Sequence, residues 1–246
     1  MKEAQTIGLL CFMDEASTEH YVGGFSFFHK HYYANDGMLK VAMQAPDDFK
    51  QITSLMKENR WDDITDELVK GGKAAKKHGA DFIVIVTTAM HKTADAVTEH
   101  TGLPVLHIAD TAIQGMREME TNKAIILASK PLMKDNFLND RFKDAGITLK
   151  SPVGEDICRL EYIRKAAHDG NLSEADTRKF YHILSLYDTS SLLILCSKFN
   201  KLLKPNAHEH RDFWENSKHC VGGKSIYAQS AANGHIRAAV KKAFEK

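Results

Sequence analysis

Long apolar runs are absent from this sequence of 246 residues. No stretch approaches the roughly 20 residues that a membrane-spanning helix requires, and Met1-Lys2-Glu3-Ala4-Gln5 lacks a signal-peptide core, so a cytoplasmic location is expected. An excess of one charge is missing too. Lys and Arg number 33 against 32 Asp and Glu, a net charge of +1, which argues against nucleic acid or a membrane surface as partner and leaves a small molecule as the expected ligand. Cysteine is scarce. The four, Cys11, Cys158, Cys196 and Cys220, form no Cys-x-x-Cys pair and no zinc-type spacing with His, and a reducing compartment would leave them as free thiols. No Gly-x-Gly-x-x-Gly follows a strand and no Walker-type Gly-Lys-Ser/Thr is present, which removes the usual nucleotide arguments. Gly222-Gly223-Lys224-Ser225 resembles a phosphate loop only superficially, and His208-Glu209-His210 reads as a solvated loop. Neither a metal nor a cofactor is expected.

What the sequence does contain is a strong strand signal at Phe82-Ile83-Val84-Ile85-Val86, running into Thr87-Thr88-Ala89-Met90-His91-Lys92. A continuous apolar run of this length, entered through Gly79-Ala80-Asp81, predicts a parallel strand buried on both faces. Ligands in open α/β sheets sit outside the carboxyl ends of the strands, so Thr87, Thr88 and His91 become candidates for a site. The pattern recurs where Leu192-Leu193-Ile194-Leu195 runs into Cys196-Ser197-Lys198. Read structurally instead, Thr87 and Thr88 would cap the next helix and Cys196 would be a small buried hydrophobe.

The remaining segments alternate in the same way. Thr6 to Leu10 predicts a strand, with Asp14 or Ser17 capping the helix after it. Tyr21, Phe25, Phe28 and Tyr32 follow helical spacing as a core stripe, interrupted by Gly23-Gly24. Strands are expected at 40–44, 103–110, 123–128 and 146–149. Helices are expected from Trp61 through Lys77 (capped by Trp61-Asp62-Asp63, with Lys73, Lys76 and Lys77 on its solvated face), at 93–100, 111–120, 155–168 and 173–187, and from Ser129, the helix at 173 with a cap at Ser173. The segment 204–224 reads as a returning loop and 225–246 as helix. Such alternation implies an α/β fold of parallel sheets with right-handed crossovers, and a restart near residue 111 suggests two similar units. The expected division is 1–110 with 215–246, and 111–214.

The two strand ends taken together resemble the aspartate/glutamate racemase family. Val86-Thr87-Thr88-Ala89-Met90-His91-Lys92 looks like that family's Cys-Asn-Thr-x-His motif, and Leu195-Cys196-Ser197-Lys198 looks like its Gly-Cys-Thr-Glu motif. Further echoes lie at Ile7 to Leu10, Met13 to Thr18, Trp61-Asp62, Gly79 to Asp81, Leu106 to Asp110, Met133 to Phe137 and Ser230 to His235. The likeness is greatest to the subgroup with Thr for the first Cys followed by Met-His-Lys, described as specific for L-aspartate and L-glutamate. Departures are Thr88 for Asn, Ala89 for Thr, Lys198 for Glu and Cys11-Phe12 for a Gly pair.

The resemblance implies two pseudo-symmetric α/β domains with the active site in the cleft between them, a homodimer, and racemisation without a cofactor. It assigns proton transfer to Thr87 and Cys196, and substrate binding to Thr88, Ser197, Met13, Thr18, His91 and Lys92. Cys196 serves as a thiolate if a cation such as Lys198 or His91 lowers its pKa, and on sequence it is the most reactive of the four thiols. Thr87, too weak an acid to rest ionised, relays a proton through water or His91. The alternatives are a one-cysteine decarboxylase or isomerase of a small carboxylate, and a non-catalytic acid-binding protein.

Overall fold

The apolar run at 82–86 is the interior of a parallel sheet in the computed structural model, which describes residues 4–188, 191–203, 213 and 215–245. The chain divides into two units: one runs through Ile108 and resumes at His235, and the other is Ala109–Gly234. In the first, β1 (Thr6–Leu10), α1 (Glu15–Tyr32), β2 (Lys40–Gln44), α2 (Phe49–Lys57), α3 (Trp61–Lys77), β3 (Phe82–Ile85), a 3-10 turn (Thr88–Thr93), α4 (Ala94–Thr101) and β4 (Val105–Leu106) follow in order. The four strands pair in parallel in the order β2-β1-β3-β4.

Every residue of β3 is buried, as a strand covered on both faces demands. Ile83 and Ile85 pack with Leu10, Ile64, Leu68, Ala75 and Val97, each large aliphatic side chain contributing about 1.5–3 kcal/mol by leaving water. α1 begins where Asp14 accepts the Ser17 N–H at 2.6 Å. Tyr21, Phe25 and Phe28 are its buried face, while Tyr32 is 52% exposed and ends the stripe. α3 starts without a side-chain cap; Asp62 and Asp63 instead stabilise it from the first turn, where negative charge meets the helix dipole. Lys76 does more than solvate its face, since its Nζ donates to Thr101 O at 2.6 Å and closes the end of α4.

The second unit takes α5 (Ile108–Glu118), which begins at the boundary, then β5 (Lys123–Leu127), α6 (Lys130–Lys134), α7 (Asn139–Asp144), β6 (Thr148–Lys150), α8 (Gly154–Asp169), α9 (Glu174–Ser185), β7 (Ser191–Ile194), a 3-10 turn (Ser197–Lys201), β8 (Asn216–Val221) and β9 (Lys224–Ser230). α10 (Ala231–Phe244) leads back into the first unit. The sheet order is β6-β5-β7-β9-β8, parallel except for β8 against β9. At α9 the Ser173 and Asp176 side chains close a reciprocal cap.

Three expectations are corrected. The strand at 103–110 is only Val105–Leu106, because helix α5 already starts at Ile108. The segment 225–246 is not all helix, since β9 occupies it to Ser230. Part of the returning loop is β8, joined to β9 through Gly222 and Gly223 at φ 57° and 78°, the left-handed pair that a tight hairpin turn needs. This hairpin extends the second sheet, so residues 215–234 fall with the second unit and not the first. The residues His208-Glu209-His210 lie outside those described. What results is two α/β units, each a mainly parallel sheet flanked by helices.

Candidate active site

Each unit ends an inner strand in the same backbone construction. After β3, Val86 N–H donates to Leu10 O at 3.1 Å, Thr87 stays extended (φ −96°, ψ 121°), and the Met90 N–H returns to Thr87 O at 3.0 Å to start the 3-10 turn. After β7, Leu195 N–H donates to Leu127 O at 2.9 Å, Cys196 stays extended (φ −127°, ψ 113°), and the Phe199 N–H returns to Cys196 O at 3.0 Å. Thr87 and Cys196 occupy equivalent positions, and neither side chain caps the turn that follows. A threonine at a helix start ordinarily spends its hydroxyl on a backbone N–H; Thr87 Oγ1 is buried and has no hydrogen-bond partner among the described residues.

Around the first elbow two imidazoles are fixed by backbone bonds. A carbonyl oxygen can only accept, so the contact of His91 Nε2 with Ile85 O at 3.1 Å places the ring proton on Nε2. The Ile108 N–H then reaches Nδ1 at 3.5 Å. Both ring nitrogens are thus taken by backbone, which makes His91 part of the scaffold and leaves no nitrogen for the relay from Thr87 expected on sequence. His235 is held likewise: Nε2–H donates to Leu106 O at 2.8 Å, and the Tyr21 hydroxyl donates to Nδ1 at 2.8 Å. Burial, opposed by the Leu106 bond, pushes its pKa down to about 4. The rings of His107 and His235 lie 4.7 and 5.4 Å from that of His91.

At the exit of β1, Cys11 is buried beside the Thr18 hydroxyl, and burial pushes its thiol up to about 11. Thr18 Oγ1 also donates to Asp14 O at 3.1 Å, while Met13 packs on the unit's core. Thr88 is 8% exposed. The Lys92 ammonium lies 4.5 Å above the Trp61 ring, a cation–π contact that uses its charge locally.

Around the second elbow the groups are ionised. Burial raises the Cys196 thiol pKa, and the Lys198 backbone N–H, the nearby Arg164 guanidinium and the Lys198 charge work against it. Arg164 on α8 is gripped by Glu161, which accepts from Nε at 2.9 Å and Nη2 at 2.7 Å. Glu161 takes the Lys130 N–H at 2.9 Å as well; against the effect of burial, these bonds hold its carboxyl below the usual range. Ser197 is half-buried on the turn. In the stretch Ser230–His235, Ser230 Oγ accepts from Asn200 Nδ2 at 3.0 Å, at the end of β9 beside β7.

The structure therefore groups Met13, Thr18, Thr87, Thr88, His91 and Lys92 in the first unit and Cys196 and Ser197 in the second. Sequence reasoning missed Arg164 and Glu161. Their i, i+3 spacing marks an ion pair on a helix, but nothing in it connects the pair to Cys196. A resting thiolate at Cys196 is conditional on a cation lowering its pKa, and here burial outweighs the cations and raises it. Its elevated pKa makes the resting group a thiol at neutral pH, able to give a proton and, with a guanidinium alongside, to hold the charge left behind.

The sequence matches the family model for Asp/Glu/hydantoin racemases over residues 10–184. Similar solved structures include an Asp/Glu racemase candidate from Yersinia pestis at 22% identity and TM-score 0.84, aligned over 98% of this chain and 100% of that one. An aspartate racemase homologue from Pyrococcus horikoshii OT3 has 18% identity and TM-score 0.79, with both chains fully covered. Picrophilus torridus aspartate racemase has 11% identity and TM-score 0.68, over 98% of this chain and 95% of that one. At these identities the likeness is one of fold.

Proposed function

Because this chain belongs to the Asp/Glu/hydantoin racemase family, we propose that it is an amino-acid racemase acting on aspartate or glutamate without a cofactor, with Cys196 and Thr87 at the two proton-transfer positions. The observation that carries this reading is the repeated elbow, which in each unit stands one side chain, not spent on capping the turn, at the carboxyl end of an inner strand. Racemisation needs an acid and a base acting on opposite faces of one carbon. A duplicated strand end is a direct way to supply two such groups. Cys196 is the stronger of the pair: it gives a proton as thiol and takes one as thiolate, with Arg164 and the Lys198 N–H receiving the charge. The Thr87 hydroxyl is too weak an acid to rest ionised and works through a water at its unpaired Oγ1. Thr88 and Ser197 are assigned to the substrate carboxylate, with Met13, Thr18 and Lys92 as further contacts.

Enantiomers have equal free energy in water, so kcat/KM is the same in both directions and any one-sidedness appears in kcat and KM separately. The test is incubation of each enantiomer of aspartate and glutamate in deuterated water with no added cofactor, followed by proton NMR and chiral chromatography. Deuterium entering the α-position, and lost in Cys196→Ser, is the expected result. Carbon dioxide release from a substituted malonate without α-exchange would replace racemisation by a one-thiol decarboxylation. Binding without exchange or release would mark a protein that only holds an acid.

A further inference from the structure

The second elbow carries an ion pair. Glu161 and Arg164 lie one turn apart on α8, with side chains only 15% and 17% exposed. Two parallel N–H···O bonds fix the guanidinium in plane and direction, and the Lys130 N–H fixes the carboxylate in turn. α8 packs on the turn that follows Cys196, which brings the guanidinium to the neighbourhood of the thiol. Lys201 Nζ, from the turn after Cys196, donates to Ala167 O of α8 at 3.1 Å and fastens the two elements together.

Resting on the reading of Cys196 as a proton-transfer group, we infer that Glu161 is a positioning residue that clamps Arg164 against the Cys196 sulfur and so stabilises its thiolate. Other charges stand near this group among the described residues. Lys198 approaches from its own turn, Lys165 stands 4.0 Å from Glu161, and the Lys130 ammonium is turned toward Cys158 at 3.3 Å.

The sign of one effect separates positioning from simple electrostatics. As a bare negative charge Glu161 opposes a thiolate, so its removal would lower the thiol pKa. As a clamp it supports the thiolate through Arg164, so its removal raises that pKa. An opposite charge within about 4–6 Å shifts a pKa by roughly 1–3 units, and the nearby guanidinium outweighs a carboxylate lying behind it.

Iodoacetamide alkylation of Cys196, resolved by peptide mass spectrometry across pH on the full chain, reads the midpoint without any need for turnover. Glu161→Ala and Arg164→Met are each expected to raise the midpoint by about one unit, a roughly tenfold loss of thiolate at a fixed pH below it. The double variant should show no further rise, because the clamp acts only through the guanidinium. Glu161→Gln, which keeps the shape of the acceptor, is the substitute if Glu161→Ala does not fold and should shift the midpoint in the same direction. Arg164→Lys, which restores a cation, should recover part of the shift. An unchanged or lowered midpoint in the Glu161 variants overturns the inference. So does an unchanged midpoint in Arg164→Met accompanied by a raised KM, which would make Arg164 a substrate contact alone. Absence of racemase activity in the wild type would refute the functional reading while leaving this measurement intact.

Discussion

The elbow at Thr87 runs into neutral imidazoles fixed to backbone atoms, His91 to Ile85 O and His235 to Leu106 O. The elbow at Cys196 is surrounded by a guanidinium, a carboxylate and an ammonium, from Arg164, Glu161 and Lys198. The backbone construction is nearly the same at both. A duplicated turn therefore determines where a reacting side chain stands, and its neighbours determine whether that side chain can carry charge. Two equivalent positions need not be two equivalent bases.

The sharpest way to break this comparison is Cys196→Ser. A serine hydroxyl cannot use the cationic surroundings as a thiolate does, and α-proton exchange should fall by about 10²–10⁴, the usual contribution of an acid–base group. A loss under tenfold would show that the charged elbow is not the reactive one.

Acid should separate the two elbows next. His235 has a folded pKa of about 4 against 6.5 ordinarily, mainly through burial. The unfolded chain therefore binds the proton first, so the stability this neutral ring contributes is complete above pH 6.5 and is lost as pH falls from there toward 4. At pH 4.5 that loss is about 2–3 kcal/mol. Urea unfolding at pH 7.5 and 4.5 should show it in the wild type, and His235→Gln should lose correspondingly less between the two pH values while being less stable at both.

Giving the first elbow a thiol sharpens the comparison further. Thr87→Cys should raise kcat for the slower enantiomer about tenfold, near the lower end of acid–base contributions. An unchanged kcat would favour a mechanism that uses one thiol. The smallest effect lies in thiol chemistry. At neutral pH limiting iodoacetamide should label the exposed Cys158 and Cys220 before Cys196, by several-fold, since burial keeps Cys196 protonated. Preferential labelling of Cys196 would mean that its cations outweigh burial.

Much of this was legible in the sequence for one reason: strands buried on both faces leave unbroken apolar runs. Phe82 to Val86, Lys123 to Ala128 and Leu192 to Leu195 announce the inner strands, and the polar residues after them announce both elbows. The hairpin was not legible. Lys224 to Ser230 alternates its burial only in part and runs into a helical composition at Ala231, so the boundary vanished. The ionic surroundings of Cys196 were hidden as well, because Arg164 belongs to a helix remote in sequence and its proximity is created by folding. Composition shows that charges exist and not which one meets which sulfur.

The return of the chain to the first unit has a consequence for the order of assembly. The strands of that unit are all made before Ala109, yet α10, which supplies the Ala243 carbonyl to the Gln5 N–H at 2.8 Å, is made only after the whole second unit. The second unit is in effect an insertion within the first. A growing chain emerging from the ribosome can complete the sheet that bears Cys196 while the sheet that bears Thr87 still lacks its closing helix. Contacts so distant in sequence form slowly, so the first unit should be the later of the two to mature and the one more exposed to misassembly in the interval.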